Sequence, residues 1–117
     1  MGEKKSNEKI KVNSKRFKKI SNFIKTILRL KHSERIIYFK TITKTEIDIL
    51  SEIVLNFIKT NIKVDSKAYN LLKRLQVEIG KLAKSKVSYK IKREIIRSIK
   101  GLNIINILLP FAIKYFL

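Results

Sequence analysis

The chain has 117 residues, 28 Lys and Arg against 9 Asp and Glu, and a formal net charge of +19. That length suits one small domain, and the charge points to a polyanionic partner, because it disfavours compactness through self-repulsion. With no Cys and one His, the sequence excludes disulfides, Cys-ligated metal and a His-rich metal site; no cofactor is expected.

Residues 1–15 are polar and charged, with Ile10 and Val12 as the apolar exceptions. Such a segment buries too little surface to offset its ordering entropy, so a disordered basic arm is expected, acting on a partner or as a solubilising tail. It lacks the apolar core of a secretory signal. Gly2 and Ser6 fit the short myristoylation pattern, which is frequent by chance.

Residues 16–31, RFKKISNFIKTILRLK, place Phe17, Ile20, Ile24, Ile27, Leu28 and Leu30 near helical spacing among cations. A short segment over 33–41 carries Ile36, Ile37, Tyr38 and Phe39, with Ser33 as its expected N-cap. His32, between the two, reads as a solvated side chain.

The clearest helix spans 43–60. Thr43 and Glu46 form a capping box. Ile47, Leu50, Ile53, Val54, Phe57 and Ile58 make an apolar stripe. Its acids, Glu46, Asp48 and Glu52, invite an acid/base or metal reading. They are better explained by the helix dipole and by Lys44 at helical spacing.

After a break at 61–64, Asp65 or Ser66 caps a helix expected to run to about Lys84, with Ala68, Leu71, Leu72, Leu75, Ile79 and Leu82 inward. Gly80 should weaken its last turn. Ser88 caps the next helix, with Ile91, Ile95 and Ile99 as a narrow stripe and Ile96 beside it. Gly101 suits the left-handed residue that follows a helix end. The sequence thus predicts an all-α bundle of about four short helices over 16–101, between the arm and an apolar tail at 102–117. Isoleucine weakens helix propensity, yet the stripes fit a helical period better than a strand period.

The tail LNIINILLPFAIKYFL would extend roughly 24 Å as a helix at about 1.5 Å per residue. A bilayer core is about 30 Å thick, and Pro110 would kink the helix. A simple span is therefore not expected. Three readings stand: packing into the domain's own core, self-association or capsid docking, and shallow insertion into an anionic membrane. The contacting residues would be Leu102, Ile105, Leu108, Leu109, Phe111, Ile113 and Phe116. Deleting 102–117 is then expected to spare DNA binding and abolish vesicle leakage.

Lys81, Lys84, Lys86, Lys90, Lys92, Arg93, Arg97 and Lys100 fall within twenty residues, opposed by Glu94. Lys15, Arg16, Lys18 and Lys19 form a second cluster. Neutralising phosphates with such residues releases counter-ions. The excess of Lys over Arg favours backbone neutralisation over base reading. No phosphate-cradling Gly loop, Cys/His dyad or serine nucleophile motif is present, so a non-enzyme is expected. The leading function is sequence-nonspecific binding and condensation of double-stranded DNA or another polyanion. The alternatives are a membrane-active basic protein and a small helical module for an acidic protein.

The order of motifs LSEIVLNFIKTNIKVDSKAYNLLKRL, then KLAKSKVSYKIKREII, then Gly101 and an apolar tail resembles a small basic protein of Polinton/Maverick-type elements and adintovirus-like viruses. Family members similarly have a helix ending in an acid and an Asn, matched by Glu52 and Asn56, and a Lys-rich connector with Val87 and Ser88. The chain departs where Thr60 stands in place of a turn Gly, and where Lys100 precedes a single Gly101 instead of a Gly pair. The resemblance implies a minor virion or core protein, akin to the basic DNA-condensing and membrane-active proteins of adenoviruses. It places the protein in a virion or in the host nucleus or cytoplasm.

Overall fold

The computed structural model describes residues 14–60 and 64–117. The expected arm lies outside them, except that residues 14 and 15 open the first helix. Among the described residues the structure is all-α, with no strand and seven helices instead of about four: α1 (Ser14–Arg29), α2 (His32–Lys40), α3 (Lys44–Lys59), α4 (Ser66–Arg74), α5 (Gln76–Ala83), α6 (Tyr89–Arg97) and α7 (Ile99–Phe116).

The higher count comes from a break at Leu75, from the short 33–41 stretch forming a helix of its own, and from the tail being helical, with its boundary at Ser98 inside the stretch expected to run to Gly101. The expected 65–84 helix splits at Leu75, whose N–H donates to the carbonyls of both Leu71 and Leu72 at 3.1 Å. No Gly or Pro marks this break. Tertiary packing explains it: α5 buries Ile79 and Leu82, whereas α4 fully buries no side chain. One straight helix would carry both halves along a single line. The bend at buried Leu75 lets α5 press into α3 while α4 lies over the outside.

The second break is at Ser98, which is extended at φ −84° and ψ 165°. Its hydroxyl accepts from the N–H of Gly101 at 3.1 Å, which makes Ser98 the N-cap of α7. Gly101 is therefore not a left-handed residue ending a helix. No described glycine has positive φ. It sits in the first turn of α7, where a Cβ would come within 2.7 Å of the Ile96 Cα and 2.8 Å of the Ile95 carbonyl carbon. Glycine is needed here for close approach between backbones.

The other caps fall largely where residue chemistry puts them. Thr43 and Glu46 form the capping box, with Thr43 N–H donating to Glu46 Oε1 at 2.9 Å and Glu46 N–H to Thr43 Oγ1 at 3.2 Å. Asp65 accepts from the Ala68 N–H, and Ser88 from the Ile91 N–H. Ser33 is not a cap. α2 starts one residue earlier, at exposed His32, and the Glu34 carboxylate accepts from the Lys31 N–H at 2.7 Å.

α7 is the organising element. It packs against α1, α3, α5 and α6, and buries Leu102, Ile104, Ile105, Leu108, Phe111, Ala112 and Phe116. Residues 102–117 are thus part of the core and not a separate tail segment. Pro110 falls on an exposed position, on the rim of a cavity that it lines together with Phe57 and Ala68. An aromatic cluster closes one end: the Phe111 ring lies 5.2 Å from Phe57 of α3 and 4.8 Å from Tyr115, and Phe116 lies 6.1 Å from Phe17 of α1. Ile20, Phe23, Ile24 and Ile27 of α1 complete the wall on that side, with Ile47, Ile49, Leu50, Ile53 and Val54 of α3. Phe23 and Ile49 join stripes that did not include them, whereas Leu28 and Ile58 are exposed.

Candidate polyanion-binding surface

α6 carries the centre of the basic face, and its rotation decides which cations reach solvent. The expected inward stripe of Ile91, Ile95 and Ile99 is not the one used. Ile91 is exposed, and Ile99, beyond the break at Ser98, is 79% exposed. The inward positions are Lys92 and Ile96, one turn apart, with Tyr89 beside them. That leaves Lys90, Arg93 and Arg97 at i, i+3 and i+7, a spacing that places them along one outer face. Lys90 and Arg97 are exposed and Arg93 is half-buried. Glu94 shares that side of the helix.

Lys92 is the departure from the expected cation set. It is only 4% exposed, and its ammonium donates to Ser51 Oγ of α3 at 3.0 Å. Burial pushes the Lys92 pKa down, and the negative charge of Asp48 acts against that shift. Next to it, the Tyr89 phenol donates to both carboxylate oxygens of Asp48, at 2.9 and 3.0 Å. This hydrogen bond chiefly holds the phenol protonated above its ordinary range. Lys44 lies 5.5 Å from the centre of the same ring. Together these contacts form a polar clasp between α3 and α6. Asp48, Ser51, Tyr89 and Lys92 also line a cleft of about 360 Å³. The clasp was readable only as Tyr89, Lys92 and Ile96 at i, i+3 and i+7. A lysine in the middle of that series masks it.

The remaining cations fall into two groups. Lys81 on α5, with Lys84 and Lys86 in the connector, is exposed, and α5 packs against α6. Lys100, in the first turn of α7, pairs with Glu78 at 3.5 Å and stays largely solvated. An exposed pair of this kind is weak and yields readily to a phosphate. Lys15, Lys18 and Lys19 are exposed on α1, which packs mainly on α7 and α3. Arg16 of the same cluster is half-buried and bound to Glu52 at 2.7 Å, so it fastens α1 to α3.

The acids that invited a catalytic reading all have structural partners. Glu46 caps α3 and accepts the Tyr38 hydroxyl, whose pKa is raised by burial and by that carboxylate. Asp48 holds Tyr89, and Glu52 holds Arg16. No group of three metal-ligating side chains occurs among the described residues.

The apolar contact residues divide in the same way. Leu102, Ile105, Leu108, Phe111 and Phe116 are buried, Leu109 is half-buried, and Ile113 is exposed. α7 is nevertheless the one described helix long and apolar enough to cross a membrane by length and composition. No family model, no characterised protein and no solved structure matches the chain.

Proposed function

We propose that this protein binds nucleic acid without sequence preference, by neutralising phosphates along α6 and the connector that precedes it. The observation that carries the reading is the outward stripe of Lys90, Arg93 and Arg97, continuous in sequence with exposed Lys81, Lys84 and Lys86. The clasp to α3 supports it further, because it fixes α6 in the rotation that turns these cations outward. A net charge of +19 gives the long-range attraction. Lysine-rich neutralisation of this kind reads the phosphate backbone, not the bases. The resemblance to Polinton/Maverick-type basic proteins supports placing the activity in a virion, where condensing DNA is useful.

The test is affinity for a random-sequence DNA duplex across a salt series. Changing Lys90, Arg93 and Arg97 to Gln should weaken binding and lower the slope of log affinity against log salt by about 2.7, at about 0.9 per lost phosphate contact. An unchanged slope would remove α6 from the binding surface.

A membrane-active reading is favoured by one observation, the length and composition of α7. It requires α7 to leave the core it organises. Leakage of anionic vesicles under conditions that preserve the native near-ultraviolet spectrum would count against this requirement.

A further inference from the structure

Ile99 is the most exposed large apolar side chain in the described structure, at 79%, and it does not stand alone. It shares the rim of a small cavity of about 80 Å³ with Ile36 of α2 and with Arg97, and the floor is formed by Phe39, Ile96 and Leu102. Ile37, next in α2, is 66% exposed. The first turn of α7 and the outer side of α2 therefore carry a patch of isoleucines around an apolar hole. Lys40 lies one turn beyond Ile36, and Lys100 follows Ile99 directly; both are exposed.

We infer that this patch docks an acidic amphipathic segment of another protein, one apolar side chain entering the hole and a carboxylate engaging Arg97. The cations around the rim select an acidic partner. They also repel a second copy of a chain whose net charge is +19. A preformed hole suits a discrete anchor side chain in a groove, whereas a bilayer would meet the patch through a flat or convex apolar surface. Arginine at the rim matches a carboxylate with two parallel hydrogen bonds. The surface is separate from the clasp and shares Arg97 and Lys100 with the proposed phosphate-binding surface.

The probe is a synthetic helical peptide with glutamates on one face and a leucine row on the other. It should shift the methyl resonances of Ile36, Ile99 and Leu102. Ile99→Ser should weaken the peptide by about tenfold, the loss expected for one buried aliphatic anchor. Ile113→Ser, at an exposed position elsewhere on α7, should leave it unchanged. Ile99→Ser should also leave DNA affinity unchanged, which separates this surface from the one proposed above. Equal binding by a peptide with serines for leucines, or an absence of shifts at those methyls, would overturn the inference. So would Ile99-dependent binding to phosphatidylglycerol vesicles without binding to the peptide, which would assign the patch to a bilayer.

Discussion

Replacing Gly101 with Ala tests the joint between α6 and α7. In an ordinary helix interior this change is favourable by about 1 kcal/mol. Here the new Cβ would face backbone: the Ile96 Cα, at 2.7 Å, would have to recede to at least 3.4 Å, and the Ile95 carbonyl lies closer still. Neither atom can swing aside. The start of α7 must therefore lift off α6, opening a gap of more than half an ångström beneath Leu102 and Ile105. A gap of that size forfeits roughly a quarter to a half of the contact energy of the side chains lining it. Overpacking against a rigid neighbour costs about 1–3 kcal/mol. Set against the propensity gain, the net expectation is a loss of roughly 1–2 kcal/mol, or a melting temperature lower by about 5–10 °C. The assay is thermal unfolding followed by circular dichroism. Gly80→Ala is the internal control, because nothing lies within 4 Å of a Cβ there; it should stabilise by about 0.5–1 kcal/mol. If both variants stabilise, the close approach at Gly101 is not real and the reasoning fails.

Three further outcomes follow from side-chain burial and charge. Ile96→Ala should cost about 2–4 kcal/mol, while Ile99→Ala should stay within about 0.5 kcal/mol, by denaturant melts; the reverse order would restore the stripe expected from spacing. Lys92→Met should raise the melting temperature at neutral pH, since it keeps the packing and removes a buried charge; a fall would show that the Ser51 and Asp48 contacts outweigh desolvation. The native pKa of Lys92 is below its ordinary 10.5, so the unfolded chain binds more protons in that window and stability should rise with pH up to about that value. Tyr89 acts oppositely: its native pKa is raised, so its contribution is present below pH 10 and is lost as pH climbs through the raised value. A Tyr89→Phe background followed below pH 10, where Tyr38 also keeps its proton, isolates the Lys92 rise, and a flat melting profile there would contradict it.

The elements that were legible in the sequence are those whose local chemistry agrees with their packing. The capping box at Thr43, the Asp65 and Ser88 caps and most of the α3 stripe are of this kind. The break at Leu75 lacks a readable signal, and the one at Ser98 has a signal that a neighbour obscures. Leu75 is apolar and helix-favouring, and only the fit of α5 against α3 explains why the chain bends there. Ser98 is a good cap, but the neighbouring Gly101 draws attention as a helix end when it is in fact a helix start. The rotation of α6 was hidden for a related reason. Periodicity counts isoleucines, and the helix instead turns a lysine inward because Ser51 and Asp48 wait on α3. The outward cations at 90, 93 and 97 were read from the sequence, but which lysine would be missing from them depended on a residue pair 41 positions away.

The position of α7 changes what a truncation can show. Deleting residues 102–117 looked like a way to remove a membrane segment while sparing a DNA-binding domain. The structure makes that deletion a removal of the core. Leu102, Ile104, Ile105, Leu108, Phe111 and Phe116 are all buried, and at roughly 1.5–3 kcal/mol each they contribute on the order of 10 kcal/mol or more. That is comparable with the whole stability of a small domain, about 5–15 kcal/mol. The truncated chain should lose its cooperative thermal transition and expose α1 and α3 to a dye that reports apolar surface. It would keep every cation except Lys114, so residual DNA affinity in the unfolded chain would reflect charge alone. Comparing salt slopes then separates a folded binding face from a diffuse polycation: an organised face should be sensitive to the Lys90, Arg93 and Arg97 substitutions in the full chain. The truncated chain should lose a similar amount for any three lysines. A truncated chain that still melts cooperatively near the full-length temperature would refute the central role of α7 and return residues 102–117 to the status of a separable tail.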